Sequence, residues 1–230
     1  MIIKGLQKLT LLDYPGKIAC TVFTGGCNLR CPFCHNALLV TKQDENFIKE
    51  EEFFKFIEER KDRLDGVAIT GGEPLIHSDI ENFIKKIKDI GYAIKLDTNG
   101  TFPEKLKKIL DEKLVDYVAI DIKNSPEKYA VTVGVSNLDI EKIKRSVKIL
   151  MESDVDYEFR TTVPKELFTE DDFEKIAQWI AGAKRYFLQE FKDSGNLIEE
   201  GLFTPEKKDV MEKYASIVRK TVKEVEVRGI

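Results

Sequence analysis

The chain has 230 residues, 42% of them hydrophobic and 34% charged, with a net charge of −4. That balance describes a folded protein long enough to bury a core, and it excludes a dedicated nucleic-acid binder, which would carry a basic patch or tail. No apolar run approaches the roughly 20 residues needed to cross a bilayer, and the opening MIIKGLQKLTLLDYPGKIAC has neither the apolar core nor the small-residue cleavage site of a signal peptide. A cytoplasmic protein with no membrane partner is therefore expected.

Along the chain, short β-branched runs alternate with longer amphipathic stretches, the pattern of βα units around a parallel sheet. The first strand is predicted over residues 18–24 and leads into a cysteine-bearing loop. A helix over 49–63 and a strand over 66–70 follow, then a helix over 80–90 started by Ser78 and Asp79. Next come a strand over 92–97, a helix over 103–112, a strand over 117–121, a helix over 138–153 and a strand over 157–163. Thr169, ahead of Glu170 to Asp172, starts a helix over 170–181, and a strand spans 185–190. Thr204, with Pro205 at the first helical position, predicts a helix over 205–220. The run 222–227 alternates apolar and charged residues and reads as an edge strand. Six βα units fall short of the eight that close a TIM barrel. The expected fold is α/β, an open partial (β/α)6 barrel, with residues 1–230 as one domain.

Ligands of such sheets sit beyond the carboxyl ends of the strands, and every unusual motif falls there. Gly25-Gly26-Cys27 follows the first predicted strand and Gly71-Gly72-Glu73-Pro74 the second; Asp97-Thr98-Asn99-Gly100 ends the third. Asp121-Ile122-Lys123 closes the fourth, and Arg160 to Thr162 lie late in the fifth. The convergence predicts one active site.

All four cysteines lie between Cys20 and Cys34, whereas disulfide frameworks spread theirs to staple distant loops. Cys20 falls within a predicted strand, as a small buried hydrophobe would. Cys27, Cys31 and Cys34 form C-x3-C-x2-C, a spacing that wraps three thiolates around one metal group. An iron–sulfur cluster with one iron lacking a protein ligand satisfies it; so does a zinc ion completed by His35 or His77.

The cysteine loop together with Gly71-Gly72-Glu73-Pro74 resembles the radical S-adenosylmethionine (SAM) superfamily over roughly residues 15–190, leaving a helix and edge strand at 204–230 outside the likeness. The resemblance implies a partial (β/α)6 TIM-like barrel and one [4Fe–4S] cluster on Cys27, Cys31 and Cys34, with SAM chelating the fourth iron. It also implies the SAM contacts. Phe33, Cys34 and His35, with the Asn36 backbone, would lie against adenine, and the Gly71 to Pro74 strip would take the amino group through backbone carbonyls, Glu73 and Pro74 fixing its shape. Asp97, Thr98 and Asn99 would face the ribose or a small cation. Asp121, Ile122 and Lys123 would face the methionine ammonium and carboxylate. Phe191-Lys192 departs from relatives that place an aromatic and a His there. No catalytic residue beyond the cluster is assigned. Cys34-His35-Asn36 and the approach Thr10 to Lys17 are similar to the activating enzymes of glycyl radical enzymes, those of anaerobic ribonucleoside-triphosphate reductase above all. The resemblance then implies a glycyl radical enzyme as protein substrate and a low-potential electron donor; with four cysteines, no auxiliary cluster is expected. The alternative is a small-molecule enzyme such as 7-carboxy-7-deazaguanine synthase, whose loop continues Cys-Asp-Thr; a zinc-binding adaptor without catalysis is a third.

Overall fold

A computed structural model describes residues 1–41, 47–193 and 195–229. Its strands form one sheet in chain order: β1 (Ile3–Thr10), β2 (Ala19–Thr24), β3 (Gly66–Gly71), β4 (Ala93–Thr98), β5 (Tyr117–Asp121), β6 (Asp156–Val163), β7 (Arg185–Glu190) and β8 (Glu224–Arg228). β1 is antiparallel to β2, and every later pair is parallel. Parallel neighbours need a crossover, and helices supply it: α1 (Ala37–Thr41) and α2 (Glu50–Glu58), α3 (Ile80–Ile90), α4 (Pro103–Asp111), α5 (Tyr129–Thr132) and α6 (Ile140–Met151), α7 (Glu170–Trp179) and α8 (Lys208–Val218). No pairing joins β1 to β8 among the described residues, so the barrel is open. The expected α/β partial barrel is the architecture found. No helix among the described residues is long and apolar enough to cross a membrane.

Three elements lie outside the sequence expectation: β1, α1 and α5. A fourth difference is the start of α8. Thr204 does not open a helix; its amide and hydroxyl bond the Glu166 carboxylate at 3.0 and 2.6 Å, and Pro205 bridges to Pro164. The helix begins three residues later at Lys208.

The alternation of each strand separates two faces. Cys20, Val22, Val67, Ile69, Ile94, Leu96, Val118, Ile120, Phe159 and Leu188 join the apolar core that the helices cover. The opposite face lines the barrel interior, and register stacks its residues side by side. Thr21 pairs with Ala68, Ala68 with Lys95, Lys95 with Tyr117; Asp121 pairs with Arg160, and Arg160 with Phe187. That interior is polar. Lys95 binds Asp97, Glu158 accepts from the Tyr117 hydroxyl at 2.8 Å, and Arg228 reaches Glu158 at 3.5 Å.

The turn after β1 closes the amino-terminal floor of this interior. Tyr14 is buried against Tyr117, ring centroids 6.2 Å apart. The Thr21 hydroxyl donates to Asp13 at 2.5 Å.

Candidate active site

β2 ends at Thr24, and the chain turns through Gly26, whose φ is +82°. The turn is held on three sides. Gly25 N donates to Ile2 O at 3.2 Å, Gly26 N to Leu39 O at 2.8 Å, and the His77 ring nitrogen lies 3.0 Å from Gly25 O. His77 is thus half-buried at this hinge, away from the cysteines' cavity. From the neighbouring strand, Gly72 N donates to Thr24 O at 2.9 Å and Glu73 N to Gly26 O at 2.8 Å. A Cβ on Gly72 would lie 1.8 Å from Gly26 O, and one on Gly71 would lie 2.4 Å from Thr24 N. Bare glycine here lets two backbone segments of the chain touch.

Beyond the hinge, Arg30 spans the cysteine loop. Its Nη1 donates to Cys27 O at 2.6 Å and Leu29 O at 2.8 Å, while its amide donates to Val133 O at 2.9 Å. Gly134, at φ +66°, gives Arg30 O room, since a Cβ there would approach it to 2.6 Å. Cys34 N donates to Cys31 O at 3.0 Å and closes the second half of the loop. The loop is therefore shaped mainly by bonds to its own peptide groups, from the Arg30 guanidinium and from neighbouring backbone.

Cys27, Cys31 and Cys34 line one cavity of about 370 Å³ at the carboxyl end of the sheet, together with Phe33, His35, Gly71, Gly72, Asp97, Thr98, Asn99, Asp121 and Lys123. No disulfide joins the thiols. Burial pushes Cys31 up to about 12 and raises Cys27 and Cys34 as well, while the Lys123 ammonium pulls Cys31 and Cys34 the other way. Thiols of this kind lose their protons to a metal group, and three of them on one wall suit a cluster face.

The structure separates three expected residues from the cavity wall. Glu73 is fully buried and accepts from Leu75 N at 3.0 Å, the Thr98 hydroxyl at 2.7 Å and Asn99 N at 2.6 Å. It ties the end of β3 to the end of β4. Burial pushes its carboxyl up to about 7 against those three bonds. Pro74 opens a short turn, Pro74–Ile76, and the Ile122 side chain lies in the apolar core.

Asp121 bonds Lys123 at 3.1 Å and Arg160 at 3.0 Å; Arg160 also reaches Asp97 at 3.3 Å. Burial alone would raise both carboxyls, but Arg160, with Lys123 at Asp121 and Lys95 at Asp97, outweighs it and holds them below the usual range. Arg160 is the main residue that motif reading left without a role; the signal for it is the alternation Glu158-Phe159-Arg160-Thr161-Thr162 within a strand. Asp13, Thr21, Phe23, Gln189 and Ile198 also line the cavity. Lys192 is exposed and pairs with Glu190. Phe33 is buried and meets Phe203 edge-on at 6.0 Å, and Asn36 Nδ2 donates to Gly71 O at 3.2 Å.

The model of the Radical SAM superfamily matches residues 21–180. A protein of Methanocaldococcus jannaschii that carries the name glycyl-radical enzyme activating enzyme is 31% identical, over 100% of this chain and 96% of its own. The 7-carboxy-7-deazaguanine synthase of Thermoplasma acidophilum is 30% identical over 64% of this chain and 66% of its own. Among solved structures, Streptococcus suis SuiB bound to S-adenosylmethionine aligns with a TM-score of 0.68 at 17% identity, over 90% of this chain. This chain spans 49% of that one, and the likeness is one of fold.

Proposed function

Because the chain belongs to the radical SAM superfamily, we propose that it is an activase, which takes a hydrogen atom from a glycine of a partner glycyl radical enzyme, anaerobic ribonucleoside-triphosphate reductase in the first instance. It is a radical SAM enzyme, and its cofactors are one [4Fe–4S] cluster and SAM. The observation that carries the activase reading is the full-length 31% identity with the M. jannaschii protein of that name. The open side of the barrel between β1 and β8 supports it, since a protein loop needs a lateral way in.

In this reading residues 1–230 act as one catalytic domain, and Cys27, Cys31 and Cys34 hold the cluster. With one electron from a low-potential donor, a bound cluster and SAM would supply a 5′-deoxyadenosyl radical, with methionine as the leaving group. The chain's own residues orient the cosubstrate. Lys123 meets its carboxylate, and Asp121 and the Gly71-Gly72 backbone meet its ammonium. Phe33 and His35 lie against adenine, while Asp97 and Thr98 face the ribose side. Arg160 keeps Asp97 and Asp121 ionised and fixed in direction, so that a charged ligand meets a preorganised wall.

The test is anaerobic electron paramagnetic resonance of this protein mixed with SAM, a reductant and the candidate reductase. A doublet that is lost when the partner's radical-site glycine becomes alanine is the expected result. The second reading, a small-molecule enzyme, is favoured by the 30% identity with a 7-carboxy-7-deazaguanine synthase. Turnover of a free pterin, with no doublet from any glycyl radical enzyme of the source, would install it instead.

A further inference from the structure

Asn99 is 6% exposed and Thr101 7% exposed, and their side chains are locked to each other. Asn99 Oδ1 accepts from Thr101 N at 3.0 Å and from Thr101 Oγ1 at 2.7 Å. Two donors on one atom decide which end of the carboxamide is oxygen. Its nitrogen is therefore turned the other way, where it donates to Asn28 Oδ1 at 3.0 Å and to Cys27 Sγ at 3.8 Å. Asn28 completes the ring by donating its own Nδ2 to Thr101 Oγ1 at 2.8 Å. Both ends of the Asn99 carboxamide thus have partners within the chain, and one of them is a cluster ligand.

We propose that Asn99, oriented by Thr101 and Asn28, is a positioning residue that sets the reduction potential of the cluster through a hydrogen bond to the Cys27 sulfur. An electron entering an iron–sulfur cluster increases negative charge on its sulfurs, and N–H donors to those sulfurs stabilise the reduced form and raise the potential. The Leu29 amide, 3.4 Å from the same sulfur, is a backbone donor that no side-chain change removes. Asn99 is the adjustable one. The inference rests on a cluster seated at Cys27 and is independent of what the enzyme activates.

The test is a mediated redox titration of anaerobically reconstituted protein without SAM, following the signal of the reduced cluster. Parent and Asn99→Leu are first matched for iron and sulfide per chain. At a fixed potential, the ratio of reduced to oxidised cluster should fall about tenfold in the variant, a midpoint about 59 mV more negative for one electron. Thr101→Val leaves Asn99 in place but removes one of its two orienting bonds and the anchor of Asn28; it should shift the midpoint the same way by less. The Thr101 variant decides the matter alone if Asn99→Leu holds no cluster. A midpoint equal to the parent's in the cluster-bearing variants overturns the proposal. A parent chain that takes up no cluster at all overturns it differently, by removing the ligand role of Cys27, and so separates the two failures.

Discussion

A Cβ on Gly72 would stand 1.8 Å from the Gly26 carbonyl oxygen, a backbone atom with no rotamer to yield. Gly72→Ala must therefore push apart the end of β3 and the hinge that launches the cysteine loop, and the cost should exceed the ~1–3 kcal/mol usual for overpacking. Gly91 offers the control. Its φ is +106° but nothing lies within 4 Å of an added Cβ, so Gly91→Ala should cost only backbone strain, about 1–3 kcal/mol. Iron and sulfide per chain, measured after reconstitution beside the thermal midpoint, should fall in the Gly72 variant and hold in the Gly91 variant. A full complement of iron in Gly72→Ala would mean that the hinge does not place the cysteines. At this scale the sequence was legible where chemistry forces neighbours together, as with three cysteines in a short loop. It was mute where a contact spans the chain: Asn99 and Cys27 are 72 residues apart, and no spacing rule joins them.

The predicted strands and most of the longer helices agree closely with the structure, because each has an apolar period long enough to outvote local propensity; the helix expected over 49–63 is an exception, α2 ending at Glu58 with turns over 59–63. The misses are elements that lack such a face. β1 reads Ile3-Lys4-Gly5-Leu6-Gln7-Lys8-Leu9-Thr10 and is half-exposed at the sheet edge, so its alternation is weak. α1 and α5 have five and four residues, too short to announce themselves and stable only through what they pack on. The start of α7 shows a signal read correctly with a reach the sequence concealed. Asp172 accepts from Thr169 N at 2.9 Å and the Thr169 hydroxyl at 2.7 Å, as a capping residue does. It also accepts from the Ser125 hydroxyl at 3.0 Å and Lys128 at 2.6 Å, beyond the carboxyl end of β5. Asp172→Ala should leave the buried Ser125 hydroxyl without this acceptor and remove both the cap at Thr169 and the partner of the half-exposed Lys128, at a cost of about 2–4 kcal/mol, read from urea midpoints. Glu170→Ala, an exposed neighbour in the same turn, should stay within about 0.5 kcal/mol. Equal effects would reduce Asp172 to an ordinary helix cap.

Seen across the whole molecule, the sheet has one apolar face under the helices and one charged face around the interior. The pattern was present in the sequence as Lys95-Leu96-Asp97 and Glu158-Phe159-Arg160, polar residues recurring every second position inside strands that helices cover. Only register reveals that these positions meet. Arg160 is the hub: it bonds Asp121 and Asp97 and lies 3.9 Å from Glu158. Asp97 and Asp121 are held below the ordinary 3.8 because Arg160 and its neighbouring lysines outweigh burial. Carboxyls depressed in this way stabilise the fold above their unfolded value, and that contribution is lost only as pH falls through the folded values, so in the parent they add no slope between pH 5 and 8. Arg160→Met shifts the balance. With the guanidinium gone, Asp121 keeps only Lys123 and Asp97 only Lys95 against the same burial, so both folded carboxyls move up, and the variant's deficit relative to the parent should narrow as pH drops from 8 to 4. The loss should be about 1.5–3 kcal/mol at pH 8, where both carboxylates have lost the cation they share and keep one lysine each, and smaller at pH 4, where a proton can replace the lost cation. Arg160→Lys should recover part of the deficit by restoring charge without the forked geometry. Urea midpoints across that range decide the point. A deficit in Arg160→Met that stays constant with pH would make Arg160 a packing residue, and the charged interior would then owe its order to shape instead of ion pairing.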